Sequence, residues 1–425
     1  MAALGPAVQA TGKASPSRRV RIGLIGCGGR GRELVRVLQE FPDVEFPAVS
    51  DANEPRMQQA ADAIARGPQG RAPEQVLEHE RLLDRRDIDA VLIATTQHWH
   101  GRPFIQAAQA GKHIYVEKPL SHTIVEGRAM VTAAKKAGVV AMMGTQQRGY
   151  PHYPKAFAFV RSGRLGKISL VECWNYENSR RRVGRPANGD PPAGLHWDRW
   201  LGPAPLVPYN PARMNNSWWF DYAGGMMTNW AIHHIDIILW AMGVWSPQTA
   251  VCCGGKYVVD DLADTPDTIE ASWEFPGFVM QYIYRGGSTF RTIPSRPYNH
   301  GICFHGTQAT MVLDRSGYEI WNETDMSKSA EREANRRFWG DGRPGNEVDG
   351  PWQRLFVDCV KGEQKPPSDM EESHRATVCC HLANISYVTG RKLKWDGDRE
   401  QIVGDPAAAR LLDRPRRTGY ELPAV

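Results

Sequence analysis

The sequence predicts an α/β first half built on a doubly wound parallel sheet and an α+β second half with a large, mainly antiparallel open sheet. Three observations carry this. A short apolar strand runs into a glycine-rich turn and then a helical repeat between Arg19 and Phe41. Apolar runs and helical periodicity continue to alternate through Gln146, as crossover connections require. After Arg148 the pattern changes to longer alternating strands with turns between them and few helices. The expected divisions are a loose tail at 1–18, a first domain at 19–148 and a second at 149–425.

In the first element Val20, Ile22, Leu24 and Ile25 form the strand, and Gly26, Gly28 and Gly31 follow at G-x-G-x-x-G spacing, with Cys27, Gly29 and Arg30 between them. Leu34, Val35, Val37, Leu38 and Phe41 then recur at helical spacing. Such a turn suits a dinucleotide: Gly26 allows the tight bend, Gly28 lets backbone approach a pyrophosphate, and Gly31 lets the helix lie close on the strand. A second strand, Val44–Ser50, ends at Asp51, where a carboxylate would accept hydrogen bonds from a ribose 2′-hydroxyl and repel a 2′-phosphate. A Rossmann domain that prefers NAD to NADP is therefore expected. Arg56 tempers that preference, since it can reach a phosphate, and Asp51 has an alternative role as the cap of a helix around Pro55–Ala65.

Each later strand of this half ends in a polar cluster. Ile88–Thr95 runs into Thr96-Gln97-His98-Trp99-His100, His113–Val116 into Glu117-Lys118-Pro119, and Val139–Gly144 into Thr145-Gln146-Gln147-Arg148, with helices at Pro103–Ala110 and Ile124–Ala137. Ligands bind at the carboxyl edge of an open α/β sheet, so Thr95, Gln97, His98, His100, Glu117, Lys118 and Gln146 are expected around the cofactor, and Arg148 beside the substrate. His98 and His100 have two readings, contact with the nicotinamide ribose or simple packing. A lysine just past a parallel strand can hydrogen-bond a substrate hydroxyl and stabilise its developing alkoxide. Pro119 biases Lys118 toward extended backbone.

In the second half a helix at Pro154–Arg161 precedes strands at Lys167–Trp174, Thr268–Phe275, Phe278–Tyr284, Gly301–His305 and Thr310–Asp314. A helix at Thr377–Thr389, with Val378, His381, Leu382, Ile385 and Val388 on one stripe, is expected to close the domain. Between the first two elements and the later strands lies Asn175–Ala223, dense in aromatics that include Tyr176, Trp197, Trp200, Tyr209, Trp218, Trp219, Phe220 and Tyr222, with Arg180, Arg181, Arg182 and Asn216. So long a loop usually has a task. Its aromatic faces, Trp218 among them, suit either a sugar ring or a subunit interface.

Composition narrows the partners. Of 425 residues 41% are hydrophobic and 23% charged, which is ordinary for a globular protein with real cores. No apolar run approaches the roughly 18 residues that span a bilayer. The net charge of +5 has no long basic block behind it, so nucleic acid is not an expected partner. Eight cysteines without C-x-x-C spacing read as buried thiols, and the histidines form no recognisable ligand set, so no metal is expected. The small-residue stretch within residues 1–18 is similar to the end of an export signal, which makes a periplasmic protein exported in folded form the first expectation and a cytoplasmic one the alternative.

Taken together, G-C-G-G-R-G, Asp51, T-T-Q-H-W-H and E-K-P resemble the Gfo/Idh/MocA oxidoreductases, the glucose-fructose oxidoreductase and inositol dehydrogenase group. The resemblance continues through Gly163–Ile168 and the segment G-G-M-M-T-N-W-A-I-H-H-I-D at Gly224–Asp236. It implies hydride transfer between a nicotinamide and a secondary hydroxyl or ketone of a sugar or sugar derivative. It also implies dimers or tetramers paired through the second sheet, and action at the reacting carbon by Lys118 and His233. One position departs from the pattern: where the family often has an aspartate four residues before that histidine, this chain has Asn229. Asn cannot take up a proton, although it can orient a hydroxyl from the same helix face as His233. The proton then falls to His233, whose ordinary pKa lies near neutrality, while His234 and Asp236 are expected to be structural. The departure keeps open a glycosidase that oxidises transiently with a tightly retained NAD. A non-catalytic sugar or nucleotide sensor is the third reading.

Overall fold

The computed structural model describes residues 19–178, 182–290, 299–325, 329–334 and 350–425, so Arg180 and Arg181 lie outside the described residues. The first half comprises β1 (Val20–Ile25), α1 (Gly29–Leu38), β2 (Val44–Glu45), β3 (Ala48–Ser50), α2 (Glu54–Arg66), β4 (Glu74–Val76), α3 (His79–Leu83), β5 (Ala90–Ile93), α4 (Gly101–Gln109), β6 (His113–Val116), α5 (Ile124–Ala137) and β7 (Ala141–Met143). All strand pairs are parallel, in the order β4-β3-β1-β5-β6-β7 with β2 beside β1. The chain leaves β1 in one direction through β3 and β4, then returns to its other side at β5. The crevice between β1 and β5 is thus the switch point where doubly wound sheets bind ligands. β5 is Ala-Val-Leu-Ile, buried at every position, as a strand covered on both faces must be.

The strand expected at Val44–Ser50 is broken in two. Pro47 has no N–H to give a ladder, and its carbonyl instead accepts from the Glu74 amide at 2.9 Å. The cap of α2 is Asn53, whose side chain accepts from the Arg56 amide, so Asp51 is not spent on the helix.

The second half adds α6 (His152–Arg161), β8 (Ile168–Tyr176), α7 (Trp197–Leu201), a π turn at Met227–Ala231, α8 (Ile232–Met242), β9 (Thr249–Gly255), β10 (Thr268–Phe275), β11 (Phe278–Arg285), β12 (His300–Gly306), β13 (Ala309–Asp314), β14 (Gly317–Asn322), β15 (Glu331–Ala334), α9 (Gly350–Lys361), α10 (Met370–Thr389), β16 (Leu393–Asp396) and β17 (Gln401–Val403). Ten strands form one sheet in the order β15-β14-β13-β12-β8-β11-β10-β9-β16-β17, antiparallel throughout except where β8 meets β11. Along β11 buried and half-buried residues alternate without a break, the sign of one covered face.

α10 starts seven residues before the expected Thr377 and touches β9, α8 and α5, so it joins the second sheet to the first half. Val378, His381, Leu382 and Ile385 are buried on it as expected, but Val388 is 57% exposed. A further helix had no clear sequence signal. α9 crosses back and places Trp352, Phe356 and Val357 in the core beneath β1 and α1, with the Trp352 indole donating to the Met143 carbonyl at 3.0 Å.

Arg148 ties the halves together and does not face the substrate, contrary to expectation. Its guanidinium donates twice to Asp236 of α8 and once to Glu372 of α10, each at 2.7 Å, and Arg148 and Asp236 are both 1% exposed. All three guanidinium nitrogens are engaged by these carboxylates, and Arg148 does not line the cavity described below. Asp236 is accordingly structural, as expected. Removing one member of such a pair strands a buried charge. Asp236→Ala is expected to lower unfolding stability by about 3–5 kcal/mol in urea titration, far more than an exposed carboxylate would.

Candidate active site

The glycine turn has the tight bend expected at Gly26 and the close helix approach expected at Gly31, and leaves open space at Gly28. Gly26 has φ +98°, and a Cβ there would strike the backbone at Ala94 and Thr95 at 2.6 Å. A Cβ on Gly31 would lie 2.0 Å from the Gly26 carbonyl, so only glycine lets α1 approach β1 this closely. Gly28 has nothing within 4 Å of where a Cβ would be, and faces open space at the start of α1. That space is a cavity of about 930 Å³, lined by both halves of the chain and at the upper end of small-molecule sites.

Fourteen of the residues singled out in the sequence line it. Gly26, Gly28, Gly29 and Arg30 come from the turn, Asp51 and Arg56 from the β3 end, and Thr95, Gln97 and His100 from the β5 end. Glu117 and Lys118 follow β6, Gln146 follows β7, and Asn229 and His233 come from the π turn and α8. Asp51 is held by two backbone donors, Cys27 N–H at 2.6 Å and Asn53 N–H at 2.8 Å, which locks its carboxylate at the cavity wall. His100 bridges two of the loops, one ring nitrogen on the Pro119 carbonyl at 2.8 Å and the other on the Thr95 carbonyl at 3.3 Å. Arg30 pairs with Glu117 at 2.8 Å, so those two charges cancel locally.

His98 takes the second of its two readings, and two other expectations, for Trp218 and Cys27, fail. His98 is packed away from the cavity, its ring against Trp200 and Tyr222 and its Nε2 on the Trp200 carbonyl at 3.1 Å. Trp218 lies outside the lining, with the Arg182 guanidinium stacked 4.6 Å from its ring centre. The Cys27 side chain is buried behind the turn and contributes only its backbone. The aromatic loop mostly serves itself: Trp197, Trp200, Tyr209, Trp219 and Tyr222 pack into a cluster of their own, and it offers Trp200, Met214, Asn216 and Ser217 to the cavity. Wall residues that the sequence reading missed are Trp99, Arg102, Trp230 and Tyr420.

Lys118 crosses from the first half to the second. Its Nζ donates to the Asn229 carbonyl at 2.7 Å and to Asn229 Oδ1 at 3.1 Å, leaving one of its three donors for the cavity. Both partners are neutral. Burial, with Arg30 and Arg315 adding repulsion and Glu117 opposing them, brings its pKa down to about 8. The nearby His233 is pushed well below its ordinary value, first by burial and then by the Lys118 charge, so it is not the near-neutral titrating base expected. It stays neutral, with a buried Nδ1 that has no partner among the described residues. Thr95 Oγ1, Gln97 Oε1 and Gln146 Oε1, from residues that line the same cavity, are likewise buried and without a partner among the described residues. Buried polar atoms are rarely left so. This donor and acceptor set, with the Gly28 cradle and the Asp51 carboxylate, fits a dinucleotide.

Asp51→Asn is expected to weaken NAD binding about tenfold and to strengthen NADP binding, because it removes a charged acceptor beside Arg56. Fluorescence titration with NADH and NADPH measures both.

The comparisons agree with the geometry. A family model described as an oxidoreductase family with an NAD-binding Rossmann fold matches residues 20–145, and one for the same family's C-terminal alpha/beta domain matches 171–250 and 348–422. The chain is 31% identical over 285 residues to scyllo-inositol 2-dehydrogenase (NAD(+)) of Bacillus subtilis, covering 67% of this chain and 70% of that one. It is 30% identical over 356 residues to levoglucosan dehydrogenase of Pseudarthrobacter phenanthrenivorans, covering 76% and 79%. Three other curated relatives are matched over 44%, 68% and 60% of their lengths. A solved structure of levoglucosan dehydrogenase in complex with NADH and levoglucosan superposes with a TM-score of 0.68 at 18% identity, over 89% of this chain and 99% of that one. The chain therefore belongs to the Gfo/Idh/MocA oxidoreductase family.

Proposed function

We propose that this protein oxidises a secondary hydroxyl of a sugar or cyclic polyol with NAD. The observation that carries the reading is the meeting of Lys118, Asn229 and His233 at one end of the cavity that the glycine turn and Asp51 open at the other. The inositol and levoglucosan dehydrogenases to which the chain is similar support the substrate class. Bound nicotinamide supplies the hydride acceptor. The remaining work falls to the chain. Asn229 holds Lys118 in place, and the third Lys118 donor steadies the substrate oxygen as its charge develops. Neutral His233 accepts the hydroxyl proton. Imidazolium and ammonium repel at this range, so the alkoxide between them is what makes the transient double charge tolerable.

The same reading takes the protein as a homodimer or homotetramer joined through the second sheet. Its support is the family resemblance; on that sheet Trp174, Tyr176, Cys303 and Val312 are already buried within the chain. Export of the folded protein rests on residues 1–18, which lie outside the described residues. No helix among the described residues is long and apolar enough to cross a membrane.

Lys118→Ala is expected to reduce turnover about 10²–10³-fold while NADH still binds; wild-type turnover in that variant would remove Lys118 from the chemistry. The pH profile tests its charge state. With its pKa lowered to about 8, Lys118 is an ammonium below that value and loses its charge as pH rises through it. The rate of the chemical step should fall above about pH 8, and Lys118→Arg should abolish that limb because guanidinium stays charged. A rate that climbs through the same limb would make Lys118, and not His233, the base.

A further inference from the structure

One wall of the cavity comes from a segment that holds none of the motifs read in the sequence, although the C-terminal family match extends through residue 422. Residues 413–424 run back over the first half, and Gly419 and Tyr420 face the cavity beside Trp99 and Arg102. Their place along the cavity follows from the sheet order. Asp51 follows β3 and His79 opens α3 just past β4, at the opposite side of the sheet from β6, which carries Lys118. The Trp99 ring meets His79 edge-on at 5.9 Å and Tyr420 edge-on at 5.6 Å, so it bridges the two. Arg102 does the same in charge, lying 3.7 Å from Glu80 and donating to the carbonyls of Gly419 and Glu421 at 3.1 Å. Tyr420 therefore stands at the Asp51 end, away from the reacting groups.

The segment is pinned by two of its own arginines, both preceding that ring in the chain. Arg417 donates to Asp198 Oδ1 at 2.6 Å, to the Asp198 carbonyl at 2.8 Å and to the Gly202 carbonyl at 2.6 Å, while its guanidinium lies 4.9 Å from the Tyr420 ring centre. Arg414 donates to the carbonyls of His98 at 2.9 Å and Asp221 at 3.2 Å. These charge-assisted bonds hold an aromatic ring over the cavity's rim with little freedom to swing away.

We propose that Tyr420 is the wall of the adenosine subsite, and that the 413–424 segment acts as a strap whose ring contact with adenine slows release of the dinucleotide. The assignment rests on the NAD reading above. Flat aromatic contact suits a purine, and a strap anchored on α7 must be displaced before the adenine can leave.

The test is stopped-flow release of NADH from the full chain, followed by nucleotide fluorescence. Tyr420→Ala is expected to raise the release rate about tenfold, and Tyr420→Phe to leave it near wild type, because the ring and not the hydroxyl does the holding. Arg417→Ala, which frees the strap without entering the cavity, should move the rate in the same direction. ADP-ribose should lose affinity in parallel with NADH in Tyr420→Ala, while nicotinamide mononucleotide should not. Release from Tyr420→Ala and Arg417→Ala indistinguishable from wild type would overturn the strap while leaving the cofactor reading intact. A wild-type protein that fails to bind NADH would overturn both.

Discussion

Lys118 reaches across a seam, and the chemistry of the molecule depends on that reach. Its ammonium ends a loop of the first sheet and is received by the carbonyl and side-chain oxygen of Asn229 in the second half. The π turn that carries Asn229 is a local widening of the helix that recurs at functional sites, and here it presents a backbone acceptor to a side chain. Such a bond holds only if both halves stay in register. The Arg148, Asp236 and Glu372 cluster supplies that register from beneath, and α10 supplies it from the side.

Asparagine in place of the family's frequent aspartate changes the electrostatics more than the shape. A carboxylate at that position would pair with Lys118 and raise its pKa. The neutral amide orients the ammonium without compensating it, so burial prevails and the charge sits lightly on the lysine. His233 feels that charge and is held neutral. The reacting end thus carries one exchangeable positive charge in place of a neutralised pair.

The sequence revealed what local chemistry dictates. The glycine turn, Asp51 and Lys118 each announce themselves within a few residues, because a turn, a strand end and a proline-flanked lysine have short-range signatures. It misled where a polar or aromatic side chain near the site in sequence turns away in space. Arg148 finds its acid 88 positions along, and His98 its carbonyl 102 positions along. Nothing near either residue forecasts that. Trp99 and Tyr420 were missed for the converse reason: they meet over the cavity although they lie on distant stretches of the chain, and nothing in the T-T-Q-H-W-H motif that holds Trp99 points to Tyr420. The broken strand at Pro47 was legible in principle, since a residue without an N–H interrupts a ladder wherever it falls.

The path of α9 bears on how the molecule folds. A segment synthesised after eight of the ten strands of the large sheet supplies Trp352, Phe356 and Val357 to the core of the nucleotide-binding half. That half emerges first from the ribosome with this part of its core unfilled and must wait some two hundred residues for the missing indole. The first half therefore does not complete its core from its own residues. A fragment cut near residue 148 would expose apolar surface beside β1 and α1, and grafting the dinucleotide-binding half onto another protein would require α9 to travel with it.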